Sequence, residues 1–390
     1  MTETAGVKAT SSTECRFRSG TWKPAIVAAV LALSLTKCSG AIAEETHPLD
    51  VVGIEIGSLR AQPKPVQVDQ IMSSSINRGL SIPRSVPVAD MTESGHKCSA
   101  NPISTRTVDP ANYEYGCREI EEMLSGNFTR VGNGGVRTVF LVEYGGRKLV
   151  VKTLNDIKRL GQHNREVATL NALRGQQNVV GMLGVCGTSV VTDFVAESFS
   201  NIILRDGKDL PTCRLIRLAI DAAKGMQALH DIAGGIHMDM RPSQLLITDT
   251  GRGMLNDFNS VHLMSVSPED QQAFCPSAIR KSFSQRNPWR APESLAGQPL
   301  TDKADIYSLG MVFYSLVAGK APYDSSLERL ELAHKNKARP EIDARWHQGF
   351  MEVVKDMWRE SPEDRPPARQ VVVRLQELLD QLDGDAPGDW

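Results

Sequence analysis

The sequence predicts a two-lobed α+β domain, in which a small antiparallel β lobe precedes a larger, mainly helical lobe. Segments with strand character are concentrated between Phe128 and Val195, whereas helical apolar spacing dominates from Leu215 onward. Strands that come first along the chain and helices that come second indicate two unequal lobes. A glycine cluster, Gly132 to Gly135, separates the first two predicted strands, as expected for a hairpin.

The composition indicates a globular protein and excludes little else. Hydrophobic residues make up 41% of the 390 residues and charged residues 23%, which is the balance of a chain that buries a core. The formal net charge of −2 provides neither the basic excess of a nucleic-acid-binding protein nor the acidic excess of a disordered solvating chain. We therefore expect no nucleic acid partner.

Residues 1–43 have the pattern of a secretory signal peptide. Basic residues precede a short apolar run from Ala25 to Leu35, and small residues lead to Ala43. Lys37 ends the run well short of the roughly 20 apolar residues of a membrane-spanning helix. Cleavage after Ala43 is our first prediction, with an uncleaved signal-anchor or a disordered tail as alternatives. The predicted location is the lumen of the secretory pathway, secreted or anchored to a membrane, with the cytoplasm as the alternative.

Beyond residue 43 the sequence predicts a linker, and the chain contains seven cysteines. Residues 44–116 are rich in Ser, Pro and Thr and lack a sustained helical period, which predicts a largely disordered linker.

No CxxC pair is present among the cysteines, which argues against a zinc site. In an oxidising compartment, Cys98 and Cys117 are candidates for a bridge just before the domain. Cys186 and Cys213 lie in apolar segments and are expected in the core.

The predicted domain covers residues 117–385, with a β lobe at about 117–194 and a helical lobe at about 196–385. The predicted strands are Phe128–Val131, Val136–Tyr144, Lys148–Leu154, Val179–Val185 and Ser189–Val195. Apolar residues at helical spacing predict helices over Asn164–Leu173, Leu215–His230, Lys303–Ala318, His347–Arg359 and Pro367–Leu382.

Short motifs occur in a fixed order along this domain. The first is Gly132-Asn133-Gly134-Gly135-Val136-Arg137-Thr138-Val139, followed by Val150-Val151-Lys152, then His237-Met238-Asp239-Met240-Arg241-Pro242-Ser243-Gln244, Asp257-Phe258-Asn259 and Arg290-Ala291-Pro292-Glu293. In this order they resemble the glycine-rich loop, the lysine strand, the catalytic loop, the metal-binding triplet and the APE motif of the protein kinase superfamily. The resemblance covers roughly two thirds of the chain and implies the two-lobed kinase fold.

The resemblance implies an ATP site in the β lobe. Glycines let backbone N–H groups approach phosphate oxygens, so the residues expected to bind ATP are Gly132, Asn133, Gly134, Gly135, Val139, Lys152, Asp193 and Val195. Lys152 is expected to hold the phosphates and to form an ion pair with Glu166 of the predicted helix. Arg137 stands where the family has its third glycine, a departure that would stiffen or narrow the loop.

The catalytic centre implied by the resemblance lies in the helical lobe. Asp239 takes the place of the carboxylate that orients the acceptor hydroxyl and accepts its proton, and Arg241 supplies a positive charge near the γ-phosphate. Asp257 is expected to bind Mg²⁺, and Gln244 stands where the family has a second metal ligand. Met238 replaces an arginine that in the family pairs with a phosphorylated activation loop.

Further residues of the resemblance concern the fold and the acceptor. Arg365 is expected to pair with Glu293, a contact that is structural rather than catalytic. The implied function is transfer of the γ-phosphate of ATP to a Ser or Thr hydroxyl of a protein substrate, with Tyr as an alternative. An inactive pseudokinase scaffold and a secretory-pathway glycan kinase are the competing hypotheses. The segments Gly181–Cys186 and Leu255-Asn256-Asp257 bear a faint resemblance to the protein O-mannose kinase family.

Overall fold

The computed structural model describes residues 98–106, 108–134, 136–205, 210–267, 274–275, 287–323 and 336–384. The predicted signal peptide or anchor, most of the predicted linker and Gly135 lie outside the described residues. Among the residues that are described, no helix combines the length and the apolar character needed to cross a membrane.

The β lobe contains one antiparallel sheet of five strands, in the order β1-β2-β3-β5-β4. Its strands are β1 (Phe128–Asn133), β2 (Arg137–Tyr144), β3 (Arg147–Leu154), β4 (Met182–Cys186) and β5 (Ser189–Asp193). A two-residue turn at Gly145 and Gly146 joins β2 to β3, and both glycines have positive φ. Positive φ at both positions is what a tight hairpin of this kind requires, and glycine adopts it without steric cost.

The described helices belong mostly to the second lobe. They are α1 (Cys117–Ser125), α2 (Leu160–Ala172), α3 (Phe199–Arg205), α4 (Thr212–Ala228), α5 (Pro292–Leu295), α6 (Lys303–Ala318), α7 (Gln348–Met357) and α8 (Ala368–Gly384). Short strands accompany them: β6 (Glu197–Ser198), β7 (Gly235–Ile236), β8 (Leu245–Ile247), β9 (Gly253–Leu255) and β10 (His262–Leu263). The prediction of a β lobe followed by a helical lobe is confirmed, with element ends shifted by a few residues.

The core of the helical lobe is built around α6. Every residue from Ala304 to Leu316 is buried, as expected for a helix that is apolar on all sides. The buried faces of α4, α7 and α8 belong to the same cluster. Gly319, with φ 65°, ends α6 in the left-handed conformation, in which its N–H reaches back to the carbonyl of Ser315.

Helix α1, which the sequence did not predict, covers the outer face of the sheet. Ile120, Met123 and Leu124 of α1 pack with Leu149 and Val191 in a second, smaller core. The inner face of the sheet is therefore the one left for α2 and for the cleft between the lobes. This helix is only nine residues long, which is shorter than the window of about 11 or more residues over which helical spacing is recognised, so the sequence left this segment unassigned.

The segment immediately before α1 is ordered, which corrects part of the predicted linker. Residues 98–106 and 108–116 form two short 3-10 turns, at Pro102–Thr105 and Pro110–Asn112. Ile103 is buried in the core of the helical lobe, and the Asn101 side chain donates a hydrogen bond to the carbonyl of Ala233. These tertiary contacts supply the stabilisation that the local sequence lacks.

The disulfide pattern also differs from the prediction. Cys98 is bonded to Cys275 and Cys117 to Cys186, so the predicted Cys98–Cys117 bridge is wrong. The partners lie far away in sequence, and connectivity of this kind cannot be deduced from cysteine positions alone. Cys213 is buried in the core, as predicted, and it is also disulfide-bonded.

Candidate active site

The β8–β9 hairpin brings the two predicted acidic motifs together. Asp239 lies between β7 and β8, and Asp257 lies shortly after β9. Leu245 pairs with Leu255 at the open end of the hairpin, and just beyond this pair the N–H of Asn256 donates to the carbonyl of Gln244. The loop that carries Asp239 and the segment that carries Asp257 are therefore neighbours in space.

Gln244 connects the two carboxylates directly. Its side-chain Nε2 donates hydrogen bonds of 3.2 Å to Asp239 Oδ2 and to Asp257 Oδ2, and the residue is buried. The sequence predicted that the amide oxygen of Gln244 would bind a metal. In this arrangement the nitrogen faces the carboxylates instead, because ionised carboxylates are acceptors only.

Lys152 reaches across the cleft from the sheet. Its Nζ donates a hydrogen bond of 3.1 Å to Oδ1 of Asn256, the residue that precedes Asp257. Asn256 also accepts at its carbonyl from His237 at a distance of 2.9 Å. Sequence reasoning did not assign Asn256 a role, although its contacts with Lys152 and His237 make it one of the links between the two lobes.

The ion pair predicted between Lys152 and Glu166 is wrong. Glu166 is fully buried in α2, and Arg137 binds one oxygen of its carboxylate, with Nη2 2.6 Å and Nε 2.7 Å from Oε2, whereas the buried Oε1 accepts no hydrogen bond from the described residues. From the sequence, Arg137 is recognisable only as the residue that stands in place of the third glycine of the family's loop. A charged residue at a position of the loop that faces the interior was the available signal, because such a charge needs a buried partner.

Asp305 fixes the backbone of the catalytic loop. Its carboxylate accepts hydrogen bonds from the backbone N–H groups of His237, at 2.6 Å, and Met238, at 3.1 Å. His230 contacts the same carboxylate at 3.1 Å. Burial is the largest single influence and lowers the pKa of His230, but the hydrogen bond to Asp305 and the negative charges of Asp305, Asp302 and Asp231 together outweigh it, so the pKa is raised. Asp305 thereby holds the loop that presents Asp239.

Two arginines flank Asp239. Arg241 Nη2 lies 3.3 Å from Asp239 Oδ2, and Arg290 Nη2 lies 3.7 Å from Oδ1. Arg241 is partly exposed, whereas Arg290 is buried. Burial lowers the pKa of Arg290, and the charge of Asp239 opposes that effect. The acidic side chain therefore lies in a positive environment that also suits a phosphate group.

Five of the predicted ATP-binding residues lie on strands β1 to β3 or in the turn between β1 and β2. Gly132 and Val139 pair across the β1–β2 hairpin, and Val139 pairs with Lys152 on the next strand. The N–H of Gly134 donates to the carbonyl of Arg137, which closes the turn between β1 and β2. The backbone of Asn133 ends β1.

The other two predicted ATP-binding residues lie at the end of the sheet and beyond it. Asp193 ends β5, and its half-exposed carboxylate is paired with Arg147 at 2.8 Å, so its side chain is already engaged. Val195 lies between β5 and β6, in the connection between the lobes. Contact of either residue with nucleotide stays a prediction.

The donor set at the cleft fits Mg²⁺ bound together with a nucleotide. Mg²⁺ is usually held by one or two protein carboxylates plus phosphate oxygens and water. Asp257 supplies such a carboxylate, and Asp239 lies close by. Within the described part of the chain no cluster of three or more His, Cys, Asp or Glu side chains forms a metal site by itself, so the protein alone offers no complete metal cage there.

The comparison with known families decides what this arrangement is. The family model described as protein tyrosine and serine/threonine kinase matches residues 118–375. The chain belongs to this kinase family. The matched region includes both lobes of the kinase domain and every catalytic residue predicted from the sequence.

Three curated kinases are similar to the chain at low identity. Serine/threonine-protein kinase 12 of Arabidopsis thaliana is 26% identical over 306 residues, which are 76% of this chain and 62% of the relative. Mitogen-activated protein kinase kinase kinase 12 of Rattus norvegicus is 27% identical over 252 residues, or 63% of this chain and 26% of the relative. Dual specificity protein kinase shkD of Dictyostelium discoideum is 26% identical over 262 residues, or 64% and 34%. The chain thus spans less than two thirds of the length of each of these relatives.

The predicted structural pair of the kinase domain is confirmed. Arg365 binds Glu293 through two parallel contacts, Nη1–Oε1 at 2.6 Å and Nη2–Oε2 at 3.0 Å. Both side chains are buried. Arg365 also donates to three backbone carbonyls, those of Arg359, Glu360 and Lys303. The pair therefore joins α5 to the start of α6 and to the segment between α7 and α8.

Proposed function

We propose that this kinase domain is catalytically active and transfers the γ-phosphate of ATP to Ser or Thr hydroxyls of protein substrates. The observation that carries the proposal is the shared contact at Gln244, which brings Asp239 and Asp257 to 3.2 Å from one amide nitrogen. Lys152 binds the residue next to Asp257. The cation and the two carboxylates that phosphoryl transfer requires are thus assembled at one place.

Asp239 is the proposed catalytic residue. Its carboxylate orients the acceptor hydroxyl and takes its proton while the hydroxyl oxygen forms a bond to the γ-phosphorus and the bond to ADP breaks. Asp305 holds the backbone that presents Asp239, so the loop is positioned before substrate binds. Arg241, on the exposed side of Asp239, places a positive charge where the transferred phosphate carries negative charge.

Lys152 and Asp257 are the proposed nucleotide-binding pair. Mg²⁺, when bound, neutralises charge on the β- and γ-phosphates. Asp257 offers the carboxylate for this ion, and its backbone is held in the left-handed region at φ 64°, which few non-glycine residues adopt without a constraint. Lys152 extends from β3 to the same point and is proposed to bind the phosphates.

Transfer of labelled γ-phosphate to a generic protein substrate, followed by phosphoamino acid analysis, tests this function. The expected product is phosphoserine or phosphothreonine, and Asp257→Asn is expected to abolish its formation. Phosphotyrosine as the main product would overturn the proposed acceptor class. Labelling that requires a sugar acceptor would instead support a glycan kinase.

The second candidate function is a pseudokinase that binds partners without turnover. The observation in its favour is that Gln244 presents its amide nitrogen to the carboxylates, so it provides no oxygen for a second metal ion in this arrangement. Nucleotide that protects the fold against heat, together with no transfer to any acceptor, would favour this candidate. Mg²⁺-dependent transfer would exclude it.

We also propose that the chain works in an oxidising compartment. The disulfides Cys98–Cys275 and Cys117–Cys186 support this location, because such bonds rarely persist in the cytosol. Secretion into the lumen would agree with the signal peptide predicted for residues 1–43. Mapping of intact disulfides in the protein isolated from its source under alkylating conditions tests the proposal, since free thiols at all four positions would contradict it.

A further inference from the structure

Arg137 and Lys152 extend from the same face of the sheet. Arg137 pairs with Leu154 across β2 and β3, and Val139 pairs with Lys152. Side chains alternate along a strand, so positions 137 and 139 share a face, as do positions 152 and 154. The inner face of the sheet therefore carries two cations, where the family resemblance led us to expect only the lysine.

Arg137 uses each nitrogen of its guanidinium inside the β lobe. Nε and Nη2 bind Oε2 of Glu166, at 2.7 Å and 2.6 Å. Nη1 donates to two backbone carbonyls, those of Lys152, at 3.3 Å, and Thr188, at 3.4 Å. One side chain thus connects α2 to β3 and to the turn between β4 and β5.

His163 completes the cluster on the helix side. Its Nδ1 lies 2.8 Å from Arg137 Nη2 and must act as the acceptor, because guanidinium nitrogens only donate. The ring also forms a hydrogen bond with the backbone of Gly187. Burial, reinforced by the charge of Arg137, lowers the pKa of His163 to about 3. The imidazole is therefore neutral at neutral pH. It gives Arg137 a second contact on α2, about one turn before Glu166.

The geometry favours arginine over lysine as the partner of this glutamate. Glu166 has no exposed side-chain surface and Arg137 almost none, and a buried carboxylate requires a paired, hydrogen-bonded cation. The planar guanidinium can bind a carboxylate, an imidazole and two carbonyls at once, which a single ammonium group cannot. Lys152 Nζ meanwhile binds Asn256.

We propose that two tasks are divided between these cations. Arg137 is a positioning residue that holds α2 in place through Glu166, and Lys152 is left to bind the phosphates of the nucleotide. The task of Lys152 rests on the proposed function, whereas the task of Arg137 does not.

The position of α2 matters for the metal-binding segment. Arg165, which precedes Glu166 on α2, donates from Nε to the carbonyl of Val261 at 3.3 Å. Val261 follows the Asp257-Phe258-Asn259 motif and ends a short 3-10 turn. Displacement of α2 would therefore remove a contact from the segment that presents Asp257. Arg137 acts on the active site through this route and without touching substrate.

Hydrogen exchange and nucleotide titration of the full-length protein separate the two tasks. In Arg137→Gln we expect the amides of residues 160–172 to exchange at least about tenfold faster, with the dissociation constant for ATP measured without Mg²⁺, which does not depend on Asp257, within about twofold of the wild type. In Lys152→Met we expect the reverse, namely unchanged exchange in α2 and nucleotide binding weakened by at least about tenfold. Arg137→Lys, which keeps the charge and loses the planar fork, is expected to exchange at an intermediate rate.

Each other result counts against the proposal. Wild-type exchange of α2 in Arg137→Gln would remove the positioning role. Nucleotide binding weakened in Arg137→Gln as much as in Lys152→Met, with α2 protected, would make Arg137 a phosphate ligand. If Arg137→Gln does not fold, the double variant Arg137→Gln/Glu166→Gln decides, since removal of both charges is expected to restore folding, and failure to do so would overturn the pairing.

Failure of the proposed function is recognised separately. A wild-type protein that transfers no phosphate would refute that function, yet the exchange of α2 in Arg137→Gln would still test the positioning role. A wild-type protein that does not bind Mg²⁺-ATP, or a Lys152→Met variant that binds it normally, would overturn the part of the proposal that concerns Lys152.

Discussion

Cys98 is disulfide-bonded to Cys275, which fastens the segment before the β lobe to the segment between Asp257 and Glu293. Backbone hydrogen bonds in both directions between Ser99 and Val266, at 2.9 Å and 2.8 Å, extend this contact. In the kinase family this second segment is commonly ordered by phosphorylation, and Met238 lacks the charge that would bind such a phosphate. Here a covalent bond holds the segment at Cys275.

Removal of this disulfide is expected to loosen that segment locally. Cys98→Ser/Cys275→Ser should lower the free energy of unfolding by about 2–4 kcal/mol, because the unfolded chain gains conformational freedom. It should also speed hydrogen exchange at residues 262–267, most of all at Val266, whose N–H donates to the carbonyl of Ser99 beside the disulfide. The control Cys117→Ser/Cys186→Ser should lower stability as well but leave exchange at residues 262–267 unchanged. Equal protection of this segment in the wild type and in the first variant would contradict the account.

His163 should make stability fall as the pH decreases below neutrality. Burial and then the charge of Arg137 lower the pKa of this imidazole to about 3 in the folded protein, whereas the ordinary pKa of histidine is 6.5. Between these values the unfolded state binds more protons, so the free energy of unfolding decreases by about 1.4 kcal/mol for each pH unit lost. His230, whose folded pKa is raised, has the opposite effect on stability as the pH falls toward its ordinary value of 6.5. Because His230 is present in the wild type and in any variant of His163, its contribution cancels when the two are compared.

Urea denaturation at about pH 7, 6 and 5 measures this slope. The matched variant is His163→Gln, which keeps a polar side chain but does not titrate, and its slope over this range should be clearly smaller. A slope identical in the variant and in the wild type would assign the pH dependence to other groups.

The comparison of sequence and structure shows where motif order is sufficient and where it is not. Arg365 and Glu293 were paired correctly because both belong to motifs that the family places in contact. Glu166 was placed on the right helix but given the wrong cation, since strand register and burial decide which side chain reaches it. The spacing of residues along the sequence gives neither the strand register nor the burial of a side chain.

For a similar reason, the disulfide connectivity could not be predicted from the sequence. Cys98 and Cys275 are separated by 177 positions, and only the folded path of the chain brings them together. The order of residues 98–116 depends on the same long-range contacts, with Asn101 bound to Ala233. Local composition predicted disorder because local contacts alone would not hold this segment.

Arg365 should be intolerant of even a conservative replacement. Arg365→Lys loses the two-point contact with Glu293 and leaves a buried carboxylate incompletely paired, so we expect the free energy of unfolding to fall by about 3–5 kcal/mol. The control is Arg345→Lys, since Arg345 is exposed and binds Asp343 at the surface, and it should leave the free energy of unfolding unchanged within the error of the measurement. Chemical denaturation measures both, and equal effects would contradict the structural role of the pair.

The side chain at position 244 should determine the Mg²⁺ concentration that phosphate transfer requires. A shorter Asn side chain cannot span Asp239 and Asp257 as Gln244 does, and its amide oxygen becomes available to a second ion, as in the family pattern. Gln244→Asn is therefore expected to lower the Mg²⁺ concentration for half-maximal phosphate transfer by about tenfold. The control Gln244→Leu has neither donor nor acceptor and should raise it. An unchanged Mg²⁺ requirement in both variants would show that this amide does not influence the ion.

Phosphate transfer by the wild type and by Asp239→Asn tests the central claim most directly. The full-length protein, with its disulfides intact, would be given Mg²⁺-ATP labelled in the γ-phosphate and a protein acceptor. The account predicts transfer by the wild type and a loss of at least about a hundredfold in the variant, with nucleotide affinity unchanged because the asparagine still fills the site. Transfer at the wild-type rate by Asp239→Asn, or none by a wild type that binds Mg²⁺-ATP, would contradict it.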